Sequence, residues 1–218
     1  MLIVCRPSKK RVTKLWQTTW PWPAMCTAAG ESSWLMLYPP LASLSIFAGP
    51  GSDERTLYHE ATHQLFHESR PVAPEIGLRT NFWIIEGIAM YMESLHQEAG
   101  FHVLGGFEDV RVQNARYRLL KDGFYVPLRE FSNLGMHAIQ NDKRIVHLYS
   151  QAAALTHFLI HYDGGRYRDA LVAYLTTVYT GRDTLQTLPQ LTGASFAELD
   201  AQFRQFITAG SPSPAEKK

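Results

Sequence analysis

The chain has 218 residues, 45% of them apolar and 19% charged, with a formal net charge of +1; this is the make-up of a globular protein with room for one sizeable core or two small lobes. So small a net charge excludes the strongly basic footprint of a nucleic-acid binder, and the sequence has no unbroken apolar run of about 18 residues with which to span a membrane. Two cysteines, Cys5 and Cys26, are too few for a disulfide scaffold and lack the C-x-x-C spacing of a cysteine-ligated zinc site, so they read as incidental thiols and leave the compartment open.

Residues 1 to about 32 show no sustained hydrophobic period and read as a disordered or truncated leader. Its basic residues (Arg6, Lys9, Lys10, Arg11, Lys14) are followed by "WQTTWPWPAMC", which polar residues and prolines break up too often for a signal peptide. "SSWLMLYPP" and "LASLSIFAGPG" read as two short strands closed by Pro and Gly. From Ser52 the pattern becomes helical. Ser52 or Asp53 can cap, Leu57, Ala61 and Leu65 repeat every four residues with Tyr58 and Phe66 alongside, and Pro71 sets the end near Arg70. "PVAPEIGLRT" is a loop, and a mostly apolar helix suited to burial is expected from about Asn81 to Gln97.

"AGFHVLGG" reads as loop, 108 to 121 as helix, and "YVPLREFSNLG" as a turn with a short helix. "KRIVHLYSQAAALTHFLIHY" is a strong helix stopped by Asp163-Gly164-Gly165, and "GRYRDALVAYLTTVYTG" another that ends at Gly181. "ASFAELDAQFRQFITAG" opens with a capping box, Ser195 and Glu198, and the tail "SPSPAEKK" should fray. The expected fold class is α+β and mainly helical, with a small N-terminal β piece and a C-terminal helical lobe. One domain should run from 33 to 207, with a flexible tail from 208 to 218.

The chemistry sits in "RTLYHEATHQLFHES", residues 55 to 69. His59 and His63, four apart on a helix, lie on one face with Cβ atoms about 5–6 Å apart, the separation that two imidazoles need to meet one metal ion. Glu60 is about 100° around the helix, placed to face a water on that ion without binding the ion itself. Zinc held by two histidines needs a third protein ligand and an open position. His67 is a poor third ligand: it lies about 12 Å of helix rise from His59, and three histidines at successive four-residue steps cannot converge on one tetrahedral ion. It reads as structural or as a support to the ligands, and Glu68 as a bystander. Phe66 and Ser69 stand where a metzincin needs Gly and His. Glu86 fits better. In "FWIIEGIAMYMES" it is a carboxylate one turn into an apolar helix, costly there unless paired or metal-bound, beside Gly87, which lets another backbone come close. Glu93 lies seven residues on along the same face. One of these carboxylates can bind the ion while the other holds an imidazole N–H.

"HEATHQL" followed by "WIIEGIAMYME" resembles the gluzincin zinc metallopeptidases, which carry HExxH on one helix and a glutamate ligand on the next, often as W-x-x-E-G-x-A-x-Y-x-E. The nearest resemblance is to an uncharacterised domain-of-unknown-function branch of that clan, and the zinc aminopeptidases are similar too. It spans residues 56 to about 162, and more loosely to 207. The resemblance implies a zincin-like two-helix metal core, with His59, His63 and Glu86 as zinc ligands, Glu60 as general base and Glu93 as the partner of a ligand histidine. It also implies that Tyr149, in "LYSQAAALTHFL", stabilises the oxyanion, although a core tyrosine on an Ala-rich helix would look the same; His147, His157 and His161 are nearby alternatives.

The expected function is therefore Zn2+-dependent hydrolysis of a peptide or protein substrate. An exposed strand edge within 33 to 48 is a candidate for pairing with extended substrate. The aminopeptidases' Gly-x-Met-x-Asn substrate strand has no counterpart here. The rival readings are a zincin-like binding module that keeps zinc and cleaves nothing, and a metal-free helical domain.

Overall fold

A computed structural model describes residues 52–98 and 101–210. The leader, both cysteines and the two strands expected before Gly49 lie outside the described residues, as does the tail from 211 on. The described part is mainly helical, with one small two-stranded antiparallel sheet. Among the described residues no helix is long and apolar enough to cross a membrane.

The centre of the molecule is set by the most apolar stretch of the sequence. Helix α2 (Phe82–Met92) buries every residue from Phe82 to Met90, as a helix apolar on all sides must. It packs on α6 (Ile145–His161), whose residues Leu148 to Leu159 are likewise all buried. Small residues let the two backbones approach: Ala152 on α6 meets Gly87 on α2. A Cβ at Gly87 would collide with Thr156 Oγ1 and stand 3.0 Å from the Ala152 carbonyl oxygen, so the glycine serves close helix approach.

Around this pair lie α3 (Val110–Lys121), α4 (Leu128–Ser132) and α5 (Met136–Gln140). Beyond α6 the chain passes through a tight turn at Tyr162–Gly164 to α7 (Arg168–Tyr179), α8 (Thr187–Thr192) and α9 (Phe196–Ala209). The capping box read from the sequence opens α9: the Ser195 N–H donates to Glu198 Oε2 at 2.7 Å, and the Glu198 N–H donates to Ser195 Oγ at 3.3 Å.

Helix α1 (Ser52–Glu68) packs across α2. Its inward side differs from the expectation: Leu57 and Leu65 are 37% and 46% exposed, whereas Thr62 is buried and Tyr58, His59, His63 and Phe66 are partly buried. The helix turns its histidines inward because Glu86 and Glu93 wait on that side.

Helix α2 also ends earlier than expected, at Met92. The Ser94 hydroxyl donates to the Tyr91 carbonyl at 2.6 Å and accepts the Gly105 N–H at 2.8 Å, which takes up a C-terminal carbonyl and turns the chain. The following residues, expected as helix end and loop, form a hairpin of β1 (His96–Glu98) and β2 (Phe101–Val103), with His96 opposite Val103 and Glu98 opposite Phe101.

The start of α2 is pinned with equal care. Asn81 precedes it in the left-handed conformation (φ 57°) and is buried. Its N–H donates to the Ser132 carbonyl at 2.8 Å, its amide donates to Asp183 at 2.6 Å, and its side-chain oxygen accepts the Tyr174 hydroxyl at 2.5 Å. A non-glycine residue persists there because its surroundings over-determine it.

Candidate metal centre

Helices α1 and α2 bring the predicted ligands together. His59, His63 and Glu86 each offer one ligand atom, and these atoms lie within 4.8 Å of one another; among the described residues this is the group able to hold a metal ion. The two Nε2 atoms are 3.1 Å apart, Glu86 Oε2 is 3.4 Å from His59 Nε2, and Glu86 Oε1 is 3.8 Å from His63 Nε2. Four-coordinate zinc with bonds of 2.0–2.2 Å holds its ligand atoms roughly 3.4 Å apart, so the spacing suits such an ion.

Glu93 orients the first imidazole. Its Oε1 lies 2.8 Å from His59 Nδ1; the carboxylate accepts the Nδ1 proton, which turns Nε2 toward the centre. Glu93 is itself fixed. Arg111 reaches it with two nitrogens, each 3.0 Å from a carboxylate oxygen, and Arg55 stands 3.5 Å away. Arg55 also pairs with Asp109 at 3.1 Å, and Asp109 caps α3 by accepting the Arg111 N–H at 2.8 Å.

The groups of the centre shift one another's protonation. Burial raises the Glu86 carboxyl, but the two imidazoles outweigh it and hold Glu86 below its ordinary value. Burial alone would lower His59, yet its contacts with Glu86 and Glu93 raise it to about 10. His63 faces the opposite balance, and burial lowers it to about 4, which keeps its lone pair free at neutral pH. The two arginines neutralise Glu93, whereas the counter-charges beside Glu86 are imidazoles.

The other predicted residues divide. Glu60 is partly buried and lies outside the ligand triangle; burial first, then the charges of Glu86 and Glu93, raise its carboxyl against the pull of His59. Tyr149, buried on α6, is raised well above its ordinary value by burial and by Glu86 and Glu60, while Arg111 and the Gln140 side chain pull it back. Both groups therefore share the electric field of the centre. His67 packs edge-on against Tyr179 at 5.8 Å and is not among the three ligands. Glu68 is exposed and accepts from Gln64 at 2.8 Å. The alternative histidines pack elsewhere: His147 meets Phe124 at 4.9 Å, and His157 and His161 lie 4.3 Å apart beside Tyr91.

Two residues around the centre escaped sequence reasoning. Arg111 belongs to an otherwise ordinary basic helix, and only the fold carries it to Glu93. Tyr179, the last residue of α7, is fully buried, and its hydroxyl is the buried side-chain polar atom that lacks a hydrogen-bond partner among the described residues. A buried group left so costs about 1–3 kcal/mol. Burial first, then the charge of Glu86, raises this phenol, which places it too in the field of the centre.

Searches of curated proteins and of solved structures give no match. A family model described as a protein of unknown function, DUF1570, matches residues 53–182. That stretch is more than half of the chain and contains α1 but for its first residue, all of α2 and every residue of the centre, and on it the chain belongs to the DUF1570 family.

Proposed function

We propose that this protein is a zinc-dependent peptide hydrolase of gluzincin type, with His59, His63 and Glu86 as the metal ligands. The observation that carries the reading is the convergence of these three ligand atoms within 4.8 Å, at separations near the edge of a zinc tetrahedron. Two imidazoles and one carboxylate form a donor set suited to zinc. Zinc, when bound, supplies Lewis-acid polarisation of a carbonyl and acidifies a water molecule.

The protein's own groups do the rest. Glu93 keeps the proton of His59 on Nδ1, so that Nε2 remains a ligand. The Glu60 carboxylate accepts a proton from the attacking water and passes it to the leaving amine; its raised pKa suits a group that must both take and give a proton. The Tyr149 hydroxyl donates to the oxygen that gains charge as the carbonyl is attacked.

The test compares wild type with Glu60→Gln and Glu86→Ala in metal content and in cleavage of a mixed peptide library. Glu60→Gln should keep zinc and lose hydrolysis by at least about 100-fold, the lower end of a general base's contribution. Glu86→Ala should lose zinc. A wild type that holds zinc and cleaves no peptide would assign the fold to a binding module instead, and full zinc retention by Glu86→Ala would mean that another residue is the third ligand.

A further inference from the structure

Two buried polar groups beside the candidate centre have less than their chemistry asks for. The first is the Tyr179 hydroxyl. Its ring stacks on Phe66 at 5.0 Å and meets His67 edge-on at 5.8 Å. These residues stand three and four positions after His63, so the phenol is held against the histidine face of α1, one turn beyond a ligand. The residue has 0% exposure, and the hydroxyl has no hydrogen-bond partner. Phenylalanine would make the same ring contacts, so packing does not account for the oxygen.

The second is Glu86, 5% exposed on α2. Its oxygens face the two imidazoles at 3.4 and 3.8 Å, longer than a charge-assisted hydrogen bond of about 2.7–2.9 Å. Once the two Nε2 lone pairs are directed at an ion, neither imidazole can donate to this carboxylate. One Glu86 oxygen would ligate and the other would need a donor, because ligating carboxylates are in turn hydrogen-bonded. Among the described residues the Tyr179 hydroxyl is the buried side-chain group without a hydrogen-bond partner.

We propose that Tyr179 is a positioning residue whose hydroxyl donates to the Glu86 carboxylate when a metal ion occupies the His59–His63–Glu86 centre. The inference rests on the metal-binding reading given above. The phenol packs one turn beyond His63 and its hydroxyl has no partner; metal loading, which leaves the imidazoles unable to donate to Glu86, gives it one. Tyr179 thereby fixes which Glu86 oxygen faces the ion, with no contact to the ion itself.

The experiment is Tyr179→Phe, which removes the oxygen alone. The metal-free variant should melt at the same temperature as metal-free wild type or higher, since an unpaired buried hydroxyl is lost. Its zinc affinity, measured by chelator competition, should fall about 10- to 100-fold, and the visible absorption bands of the cobalt(II)-loaded protein should shift. A purely structural tyrosine would give the reverse pattern, with lower metal-free stability and unchanged cobalt bands. Zinc affinity within twofold of wild type, or a metal-free variant that melts lower or fails to fold, would overturn the proposal. Wild type is titrated first: if it takes up no zinc the centre itself is refuted and the proposal falls with it, whereas zinc uptake by wild type and variant alike refutes Tyr179 alone.

Discussion

Single side chains in this protein earn their places by what faces them, and the histidines show it. Three of them repeat at four-residue steps on α1, yet His59 and His63 meet Glu86 while His67 packs on Tyr179. The pair on α6 has no such counter-charge among the described residues. His157 lies against Tyr91 of α2, Phe107, Phe206 of α9 and its helix neighbour His161, whose own flank carries Arg168. Burial, followed by His161, lowers the His157 pKa to about 3 from an ordinary 6.5. Between those values the unfolded chain binds a proton that the folded chain refuses, so this group's contribution to stability is fully present above pH 6.5 and is lost as pH falls toward 3. Replacing His157 with phenylalanine should shift the acid-unfolding midpoint downward, as followed by circular dichroism across that range; an unchanged midpoint would mean that the imidazole accepts its proton in place.

At the scale of elements, the decisive contact is the close crossing of α2 and α6. It fixes the helix that carries Glu86, and that Glu93 caps, against the helix that carries Tyr149. Gly87→Ala drives a methyl group into Thr156 Oγ1 and to within 3.0 Å of the Ala152 carbonyl. Overpacking of this kind costs about 1–3 kcal/mol, and the thermal midpoint should drop by several degrees. Adding Thr156→Ala should recover only part of the loss, because the Ala152 carbonyl stays in the way; complete recovery would place the whole clash on the threonine. Much of this level was legible in the sequence. The apolar run of α2, the Ala-rich α6 and the capping box of α9 are local patterns, and Glu86 and Gly87 stood out as a costly carboxylate and a small residue inside a buried helix. The hairpin at His96–Val103 was not legible, since its two strands are only three residues each and mostly exposed. Short α8, with Pro189 within it, offers no apolar period to read. The inward side of α1 was misjudged for a different reason. A leucine repeat outlines a helix, but buried carboxylates on a neighbour can draw the polar side inward.

For the molecule as a whole, the centre joins an apolar helical body to a helix that is polar on average. Residues of α1 exposed to water include Leu57 and Leu65, so apolar burial accounts for little of its docking. His59, His63, Arg55 and the ring of Phe66 reach inward to Glu86, Glu93 and Tyr179. An ion bound there would act as a ligand of the native state and raise its stability by mass action. Chelation should therefore lower the melting temperature and speed amide hydrogen exchange in α1, leaving exchange in α6 at its original rate. Equal acceleration in both helices would show that α1 and the core open together. What the sequence alone could not supply at this scale is the meeting of distant parts, such as Arg111 with Glu93 or Tyr179 with the α1 histidine face. No local pattern encodes such a meeting.

Asn81 ties these levels together. One side chain and its N–H join the start of α2 to Tyr174 on α7, to the end of α4 and to Asp183. Five residues after it comes Glu86, and five residues after Tyr174 comes Tyr179. The same asparagine thus anchors both the helix that carries Glu86 and the helix that carries the unpaired phenol. Anyone wishing to transplant this centre into another scaffold would find that grafting α1 and α2 alone leaves the carboxylate free to swivel. The smallest portable unit includes a residue that touches no ligand atom, in a backbone conformation that few designers would choose.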